Sequence, residues 1–153
     1  MVKIVRAGRR GLLLFLVAFI GAQFFRPDRS NPPSTPGASL LTKATPEVAA
    51  ILNRACRDCH SSETRWPWYT NVSPTSWLVA NHVHHGRDHF NYSQWTSIDE
   101  DDQDKLLGAM CSLTERRRMP LPSYLWMHRG AQLSPADVKT LCAWSEKMRD
   151  MLQ

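Results

Sequence analysis

Apolar residues between positions 47 and 153 recur every three or four residues, which is the spacing of amphipathic helices. No stretch alternates between apolar and polar residues as a half-buried β-strand would. The first predicted helix begins at Thr45, an N-cap residue, and has Pro46 at its first helical position. Val48 and Leu52 then lie on one face. The pattern therefore predicts an all-α domain.

Three further helices follow from local start and stop signals. Ser-Pro pairs at 73–74 and 134–135 open two of them, and Gly86 is the predicted stop of the first. Between them, one helix begins among the acids Asp99–Asp102 and ends at the arginines Arg116–Arg118, so that both ends complement the helix dipole. The domain is thus predicted to contain about four helices.

The N-terminal residues 1–25 have the pattern of a targeting segment. Four basic residues precede an apolar run, Gly11–Phe25, that is interrupted only by Gln23. As a helix this run is about 22 Å long, shorter than a hydrocarbon core of about 30 Å. An uncleaved signal-anchor is the preferred hypothesis and a cleaved signal peptide is the alternative. Both place the rest of the chain outside the cytoplasm.

A proline-rich segment, 26–46, follows and is predicted to be an extended linker. The net charge of +5 belongs to the N-terminal part of the chain, because residues 1–46 carry seven Lys and Arg against one acid. Residues 47–153 carry twelve against thirteen. The domain therefore has no basic excess, and we expect no binding to nucleic acid.

The connections 57–73 and 119–133 are long and have no period, so ordering them is costly unless something large organises them. Cys56-Arg57-Asp58-Cys59-His60 (56–60) forms a C-x-x-C-H motif, in which two thiols attach a c-type haem and the histidine binds its iron. A zinc site would need a second ligand pair at similar spacing, and a thioredoxin-like site would need a βαβ context. The sequence therefore predicts one covalent haem c, attached through Cys56 and Cys59 and ligated by His60.

Met119 is the predicted distal ligand of the iron. It lies in the segment 118–122, where two prolines stiffen the chain just after the third helix of the domain. Met110 and Met127 are weaker candidates. His82 is the weaker distal alternative to Met119.

Two further groups of residues are left with open roles. Cys111 and Cys142 fall on the inner faces of two helices, where they either form a disulfide or remain small buried side chains. Four histidines either form a solvated face or bind a second metal ion. They are His82, His84, His85 and His89.

Residues 47–145, about two-thirds of the chain, resemble the bacterial haem-binding domain family of cytochrome c-like proteins. The matching stretches are CRDCHSSETRWPWYTNVSPTSWLVANHVHHGRDHFNYSQW, MPLPSYLWMHRGAQLS and LCAWSE. The chain departs from that pattern at His84, His85 and Arg129-Gly130. The resemblance implies a cytochrome c-like fold with Cys56 and Cys59 as attachment points, His60 as proximal ligand and Met119 as distal ligand.

We therefore expect a c-type haem-binding domain (47–153) that transfers single electrons, more an electron carrier than an enzyme. A haem-based sensor or gas-binding module and a peroxidase-like enzyme are the alternative hypotheses. The expected location is the outer, periplasmic face of a bacterial cytoplasmic membrane, or the exported fraction if the N-terminal segment is cleaved. The expected partners are membrane-associated or periplasmic redox proteins, and the membrane itself through the N-terminal segment.

Overall fold

The computed structural model describes residues 2–152, with side chains from residue 8 onward. Within this range the protein contains helices and no strand, which confirms the prediction of an all-α fold. The α-helices are α1 (Val2–Ala22), α2 (Pro46–Ala55), α3 (Arg57–His60), α4 (Thr75–His89), α5 (Glu100–Glu115), α6 (Pro122–Met127) and α7 (Pro135–Asp150). Short 3₁₀ helices span Leu40–Lys43, Trp68–Asn71, Tyr92–Ser97 and Arg129–Ala131.

Three of the four predicted helix starts are confirmed by their caps. The fourth is shifted, because α4 begins at Thr75 rather than at Pro74, and the Ser73 hydroxyl pairs with the Ser76 hydroxyl at 3.0 Å instead of capping the helix. The Thr45 hydroxyl accepts a hydrogen bond from the Val48 N–H at 3.3 Å. The Asp99 carboxylate does the same for α5, and Ser134 forms a capping box with Asp137 at the start of α7. These side chains satisfy amide groups that a helix leaves unpaired at its first turn. Local sequence therefore determines where these helices begin.

The predicted stop at Gly86 is wrong, because α4 continues to His89. Its physical role is a close approach between main chains rather than a helix end. A Cβ atom placed on Gly86 would lie only 2.5 Å from the Cys59 carbonyl oxygen. A glycine within a helical pattern can mark either a helix end or a close approach of main chains, and Gly86 marks a close approach.

The chain forms two compact units. One contains the residues up to Ser30 together with Trp66–His82, and the other contains Asn31–Arg65 together with the residues from Val83 on. In the first unit the Gln23 side chain accepts a hydrogen bond from the Ser73 N–H at 3.0 Å. The segment after α1 is thus held against the residues that precede α4.

The apolar side chains of α1 are exposed from Leu12 to Val17. Across the described residues, no helix combines the length and the apolar character that crossing a membrane requires.

The second unit holds the main core, in which α5 and α7 pair in antiparallel fashion. The Ser145 hydroxyl donates to the Leu107 carbonyl at 2.6 Å, and Arg149 forms an ion pair with Asp104 at 2.8 Å. The core side chains come from four helical segments and the proline-rich stretch. They are Leu40, Val48, Leu52, Tyr92, Trp95, Leu107, Leu141, Trp144 and Met148.

Cys111 and Cys142 form a disulfide that joins α5 to α7, with their Cα atoms 4.8 Å apart. Of the two possibilities that the sequence leaves open, a disulfide or two small buried side chains, the structure contains the disulfide. Such a bridge stabilises the fold chiefly by restricting the unfolded chain.

The second half of the proline-rich segment packs on this core. Leu40 is fully buried, and the Ala38 carbonyl accepts a hydrogen bond from the Thr96 N–H at 3.2 Å. The Trp144 indole donates to the Lys43 carbonyl at 3.3 Å. Residues 38–43 are therefore structural members of the folded unit.

Candidate functional site

The C-x-x-C-H motif forms a single turn directly after α2. The Cys56 N–H caps that helix by donating to the Leu52 carbonyl at 3.0 Å. The His60 N–H then donates to the Cys56 carbonyl at 2.9 Å, which closes α3. Two cysteines and an imidazole are thereby brought within one helical turn. We call it the attachment turn (56–60), after its predicted role. Neither cysteine is part of a disulfide.

Burial determines the protonation of both thiols. It raises the pKa of Cys56 to about 12, and the neighbouring Cys59 adds to this effect. Burial likewise raises the pKa of Cys59 to about 11, with the Asp58 carboxylate as the second cause. Because the unshielded charge of a thiolate is costly in such surroundings, both groups are neutral thiols at physiological pH.

The His60 ring is oriented by a main-chain carbonyl. Its Nδ1 atom lies 3.0 Å from the Phe90 carbonyl oxygen, which can only accept, so the proton is assigned to Nδ1. Burial lowers the pKa of His60 and favours the neutral ring. The Nε2 lone pair is consequently the one available to bind a metal, as in metal-binding histidines.

Helix α4 lies against the motif at Gly86. Any larger residue would place its Cβ 2.5 Å from the Cys59 carbonyl oxygen and 3.1 Å from the Cys59 Cβ. The first distance is shorter than non-bonded contacts allow, and the second is a tight contact. The absence of a side chain at Gly86 therefore lets α4 reach the attachment turn.

The loop after His60 is held by Arg87. This guanidinium donates to the Ser61 carbonyl at 2.9 Å, to the Thr64 hydroxyl at 2.7 Å and to the Asn31 side chain at 2.7 Å. The Thr64 hydroxyl in turn donates to the Asp58 carbonyl at 2.7 Å. Charge-assisted contacts of this kind are among the stronger hydrogen bonds in proteins. Arg87 thus ties the residues on both sides of the motif to α4.

Helix α6 contacts the motif from a second direction. The Tyr124 hydroxyl donates at 2.8 Å to the carboxylate of Asp58, which lies between Cys56 and Cys59 in sequence. The His128 ring stacks on Tyr124 with centroids 4.1 Å apart. This contact joins the attachment turn to the segment that follows Met119.

Met119 itself is half-buried in the reversal of the chain after α5. Both the Arg118 and the Met119 N–H groups donate to the Leu113 carbonyl, at 2.8 and 3.2 Å. The residue before them, Arg117, has a φ of 54°, the left-handed conformation. The assignment of Met119 as a ligand stays a prediction.

The histidines of α4 do not gather into a metal site. His82 is half-buried in the first unit, whereas His85 and His89 are exposed. In the described part of the chain, three or more metal-ligating atoms come together at a single group, Cys111, Glu115 and Cys142. The two cysteines of that group are in the disulfide. His82 as a distal ligand stays an untested alternative.

The residues present fit a covalently bound haem. The turn supplies two free thiols at the required spacing and one neutral imidazole with Nε2 available. Two buried polar atoms of the second unit, Arg57 Nε and the Tyr92 hydroxyl, make no hydrogen bond to the described residues, and Arg57 Nε lies 3.9 Å from the Asp58 carboxylate. Both can donate to a carboxylate, which is the polar group that haem carries.

Three features escaped the sequence analysis: the Phe90 carbonyl, the Arg87 contacts and the Tyr124 contact. Phe90 and Arg87 act on residues 23 to 56 positions away, and Tyr124 on one 66 positions away. No spacing rule links such pairs. The glycine within the predicted helix was the one signal in the sequence that pointed to this contact region.

A helical domain that presents two thiols and an oriented imidazole from one turn defines a haem-binding protein. Residues 17–147 match the family model described as the haem-binding domain, and the chain belongs to that family. The resemblance found in the sequence is thereby confirmed. No curated protein and no solved structure matches the chain.

Proposed function

We propose that the protein is a c-type cytochrome that carries one haem, attached through Cys56 and Cys59 and ligated by His60. The observation that carries this proposal is the 3.0 Å contact between His60 Nδ1 and the Phe90 carbonyl. It assigns the proton to Nδ1 and leaves the Nε2 lone pair available, on the same turn as two free thiols. When bound, the haem supplies a one-electron couple between ferric and ferrous iron.

Met119 is the distal ligand in this proposal. Its support is its half-buried position in a segment that α6 ties to the attachment turn through Tyr124 and Asp58. A thioether favours ferrous iron and raises the reduction potential relative to a second histidine. Two protein ligands leave no position for a substrate, so the function is electron transfer rather than turnover.

The proposed location is the periplasmic side of a bacterial cytoplasmic membrane, with membrane-associated or periplasmic redox proteins as partners. Support comes from the basic residues that precede the exposed apolar side chains of α1. The segment acts as a targeting element that is either retained at the membrane or removed. The mass of the exported protein shows whether the N-terminal segment is retained or removed.

The test of the proposed function is an optical study of the full chain matured in a host with cytochrome c assembly machinery. We expect low-spin iron in both oxidation states, no reaction with carbon monoxide, and a haem that stays attached under denaturing conditions. Cys56→Ala and Cys59→Ala should each remove one thioether bond. A colourless but folded protein would refute haem binding.

The same spectra distinguish the alternatives. High-spin ferrous iron that takes up carbon monoxide would favour a sensor or gas-binding module. Peroxide turnover by that form would favour a peroxidase-like enzyme. Either outcome would remove Met119 as a permanent ligand while leaving the attachment scheme intact.

A further inference from the structure

Three consecutive arginines form the turn at the end of α5. Arg116, Arg117 and Arg118 are all exposed, and none makes an ion pair within the part of the chain that the structure describes. The rest of the domain has no basic excess, since residues 47–153 carry twelve basic against thirteen acidic side chains. This arginine turn (Arg116–Arg118) is therefore a local concentration of positive charge.

The middle residue is held in an unfavourable backbone conformation. Arg117 has a φ of 54°, and the Arg118 N–H closes the helix end on the Leu113 carbonyl at 2.8 Å. Helices that end in this way usually have glycine at the left-handed position, because a Cβ atom is strained there. Complementing the helix dipole does not require Arg117, since its two neighbours supply positive charge to the same turn. An arginine occupies this position despite the cost in backbone free energy, which indicates a role for its charge.

The turn also adjoins the proposed iron ligand. Arg118 directly precedes Met119, and at 3.8 Å between consecutive Cα atoms the whole turn lies within about 11 Å of it. If Met119 binds the iron, the arginine turn directly precedes one of the two iron ligands and lies close to the group that exchanges electrons. This step rests on the proposed function.

We propose that the arginine turn is the docking surface for an electron-exchange protein that presents clustered carboxylates. Guanidinium groups match carboxylates in geometry, and long-range attraction between opposite charges accelerates a transient encounter. In the encounter one electron passes from ferrous iron to the oxidised centre of the partner, or in the reverse direction. A protein fits better than an anionic lipid surface because the exposed Glu115 adjoins the turn. A continuous sheet of phosphates would meet that carboxylate, whereas a protein can place its acids opposite the arginines alone.

The first experiment measures electron exchange of the full-length holoprotein with two small reagents of opposite charge. Ferricyanide, a trivalent anion, and tris(phenanthroline)cobalt(III), a trivalent cation, each accept one electron from ferrous iron. Arg117→Gln should slow oxidation by ferricyanide about five-fold at about 10 mM salt, for one charge about 10 Å from the reagent. Oxidation by the cobalt complex should become faster, and both effects should disappear at about 1 M salt.

Lys147→Gln is the matched control, because it removes one exposed positive charge from the same pair of helices. The contacts of Ser145 with Leu107 and of Arg149 with Asp104 place Lys147 beside the first half of α5, away from the arginine turn. Its rates should differ from those of the parent protein by less than about two-fold with both reagents, because its charge lies farther from the arginine turn. Equal rate changes in both variants would show a general charge effect and overturn the proposal.

The second experiment measures binding and is independent of electron transfer. A fluorescent ten-residue polyglutamate peptide should bind the holoprotein in a salt-dependent manner, several-fold more weakly in Arg117→Gln and unchanged in Lys147→Gln. Phosphatidylglycerol vesicles serve as the lipid probe. If Arg117→Gln weakens binding to the vesicles and not to the peptide, the occupant is a lipid surface and the proposal is wrong.

Failure of this inference is distinguishable from failure of the proposed function. A holoprotein that exchanges electrons with both reagents, without regard to their charge or to Arg117, retains the proposed function and loses the docking surface. A holoprotein that exchanges electrons with neither loses the proposed function. Peptide binding then decides the docking surface separately, and no dependence on Arg117 would reject it.

Discussion

Replacement of Gly86 by alanine tests the contact that brings α4 to the attachment turn. The added methyl group would lie 2.5 Å from the Cys59 carbonyl oxygen and 3.1 Å from the Cys59 carbonyl carbon. Both partners are main-chain atoms, so no side chain can rotate away, and α4 itself must move. Overpacking of this kind costs about 1–3 kcal/mol, and the backbone contact places Gly86→Ala near the upper end.

A second effect of the substitution has the opposite sign. Alanine is favoured over glycine in a helix interior by about 1 kcal/mol. The net loss in the free energy of unfolding should therefore be about 2 kcal/mol, or a decrease in Tm of about 4–8 °C for a chain of this size. Urea unfolding of the holoprotein measures the first quantity and a thermal scan the second. Because the disturbed contact is with Cys59, the yield of attached haem should fall as well.

Gly108→Ala is the matched control in a helix interior. Its new methyl group would lie 3.5 Å from the Arg149 side chain, an ordinary contact with a flexible partner. Only the gain in helix propensity remains, so this variant should be more stable than the parent by up to about 1 kcal/mol. If Gly86→Ala and Gly108→Ala change stability in the same direction and by similar amounts, α4 does not approach Cys59 as described.

Three further substitutions test other contacts of the site and its supports. Replacing both Cys111 and Cys142 by serine should lower the free energy of unfolding by about 4 kcal/mol in a two-state urea titration, because 31 positions separate them. A loss below about 1 kcal/mol would indicate that the bridge does not form. Met119→Ala should lower the reduction potential and admit carbon monoxide to ferrous iron, whereas unchanged spectra would favour His82. Tyr124→Phe removes a hydrogen bond to a carboxylate and should cost about 1.5–3 kcal/mol in urea unfolding; an unchanged midpoint would argue against the 2.8 Å contact.

The sequence predicts the helix starts well because each depends on a few neighbouring residues. Thr45 and Ser134 cap their helices through N–H groups three positions away, and this geometry is the same in any helix. The chemistry of residues 56–60 was equally accessible, since thiols and imidazole lie on a single turn. Contacts between residues three or four positions apart can be predicted without knowing the rest of the fold.

The supports of the site could not be predicted in the same way. The Phe90 carbonyl that orients His60 belongs to the main chain. Any residue at position 90 would supply the same carbonyl, so the residue type does not predict the contact. The contact between Tyr124 and Asp58 depends on how α6 packs, and many tyrosines have no such partner. Gly86 was assigned to a helix stop because glycine serves both purposes, and only tertiary structure distinguishes them.

Three contacts from five consecutive residues of α4 and its end explain why this stretch accompanies the motif. Gly86 allows the main chains to meet at Cys59, Arg87 holds the loop after His60, and the Phe90 carbonyl fixes the imidazole proton. Because the three positions are fixed relative to one another by the helix, a shift of one residue in register would break all of them together. The residues HHGRDHF (84–90), which appear in the sequence as a histidine-rich patch, therefore lie against the C-x-x-C-H turn, and the Phe90 carbonyl at their end orients the His60 ring.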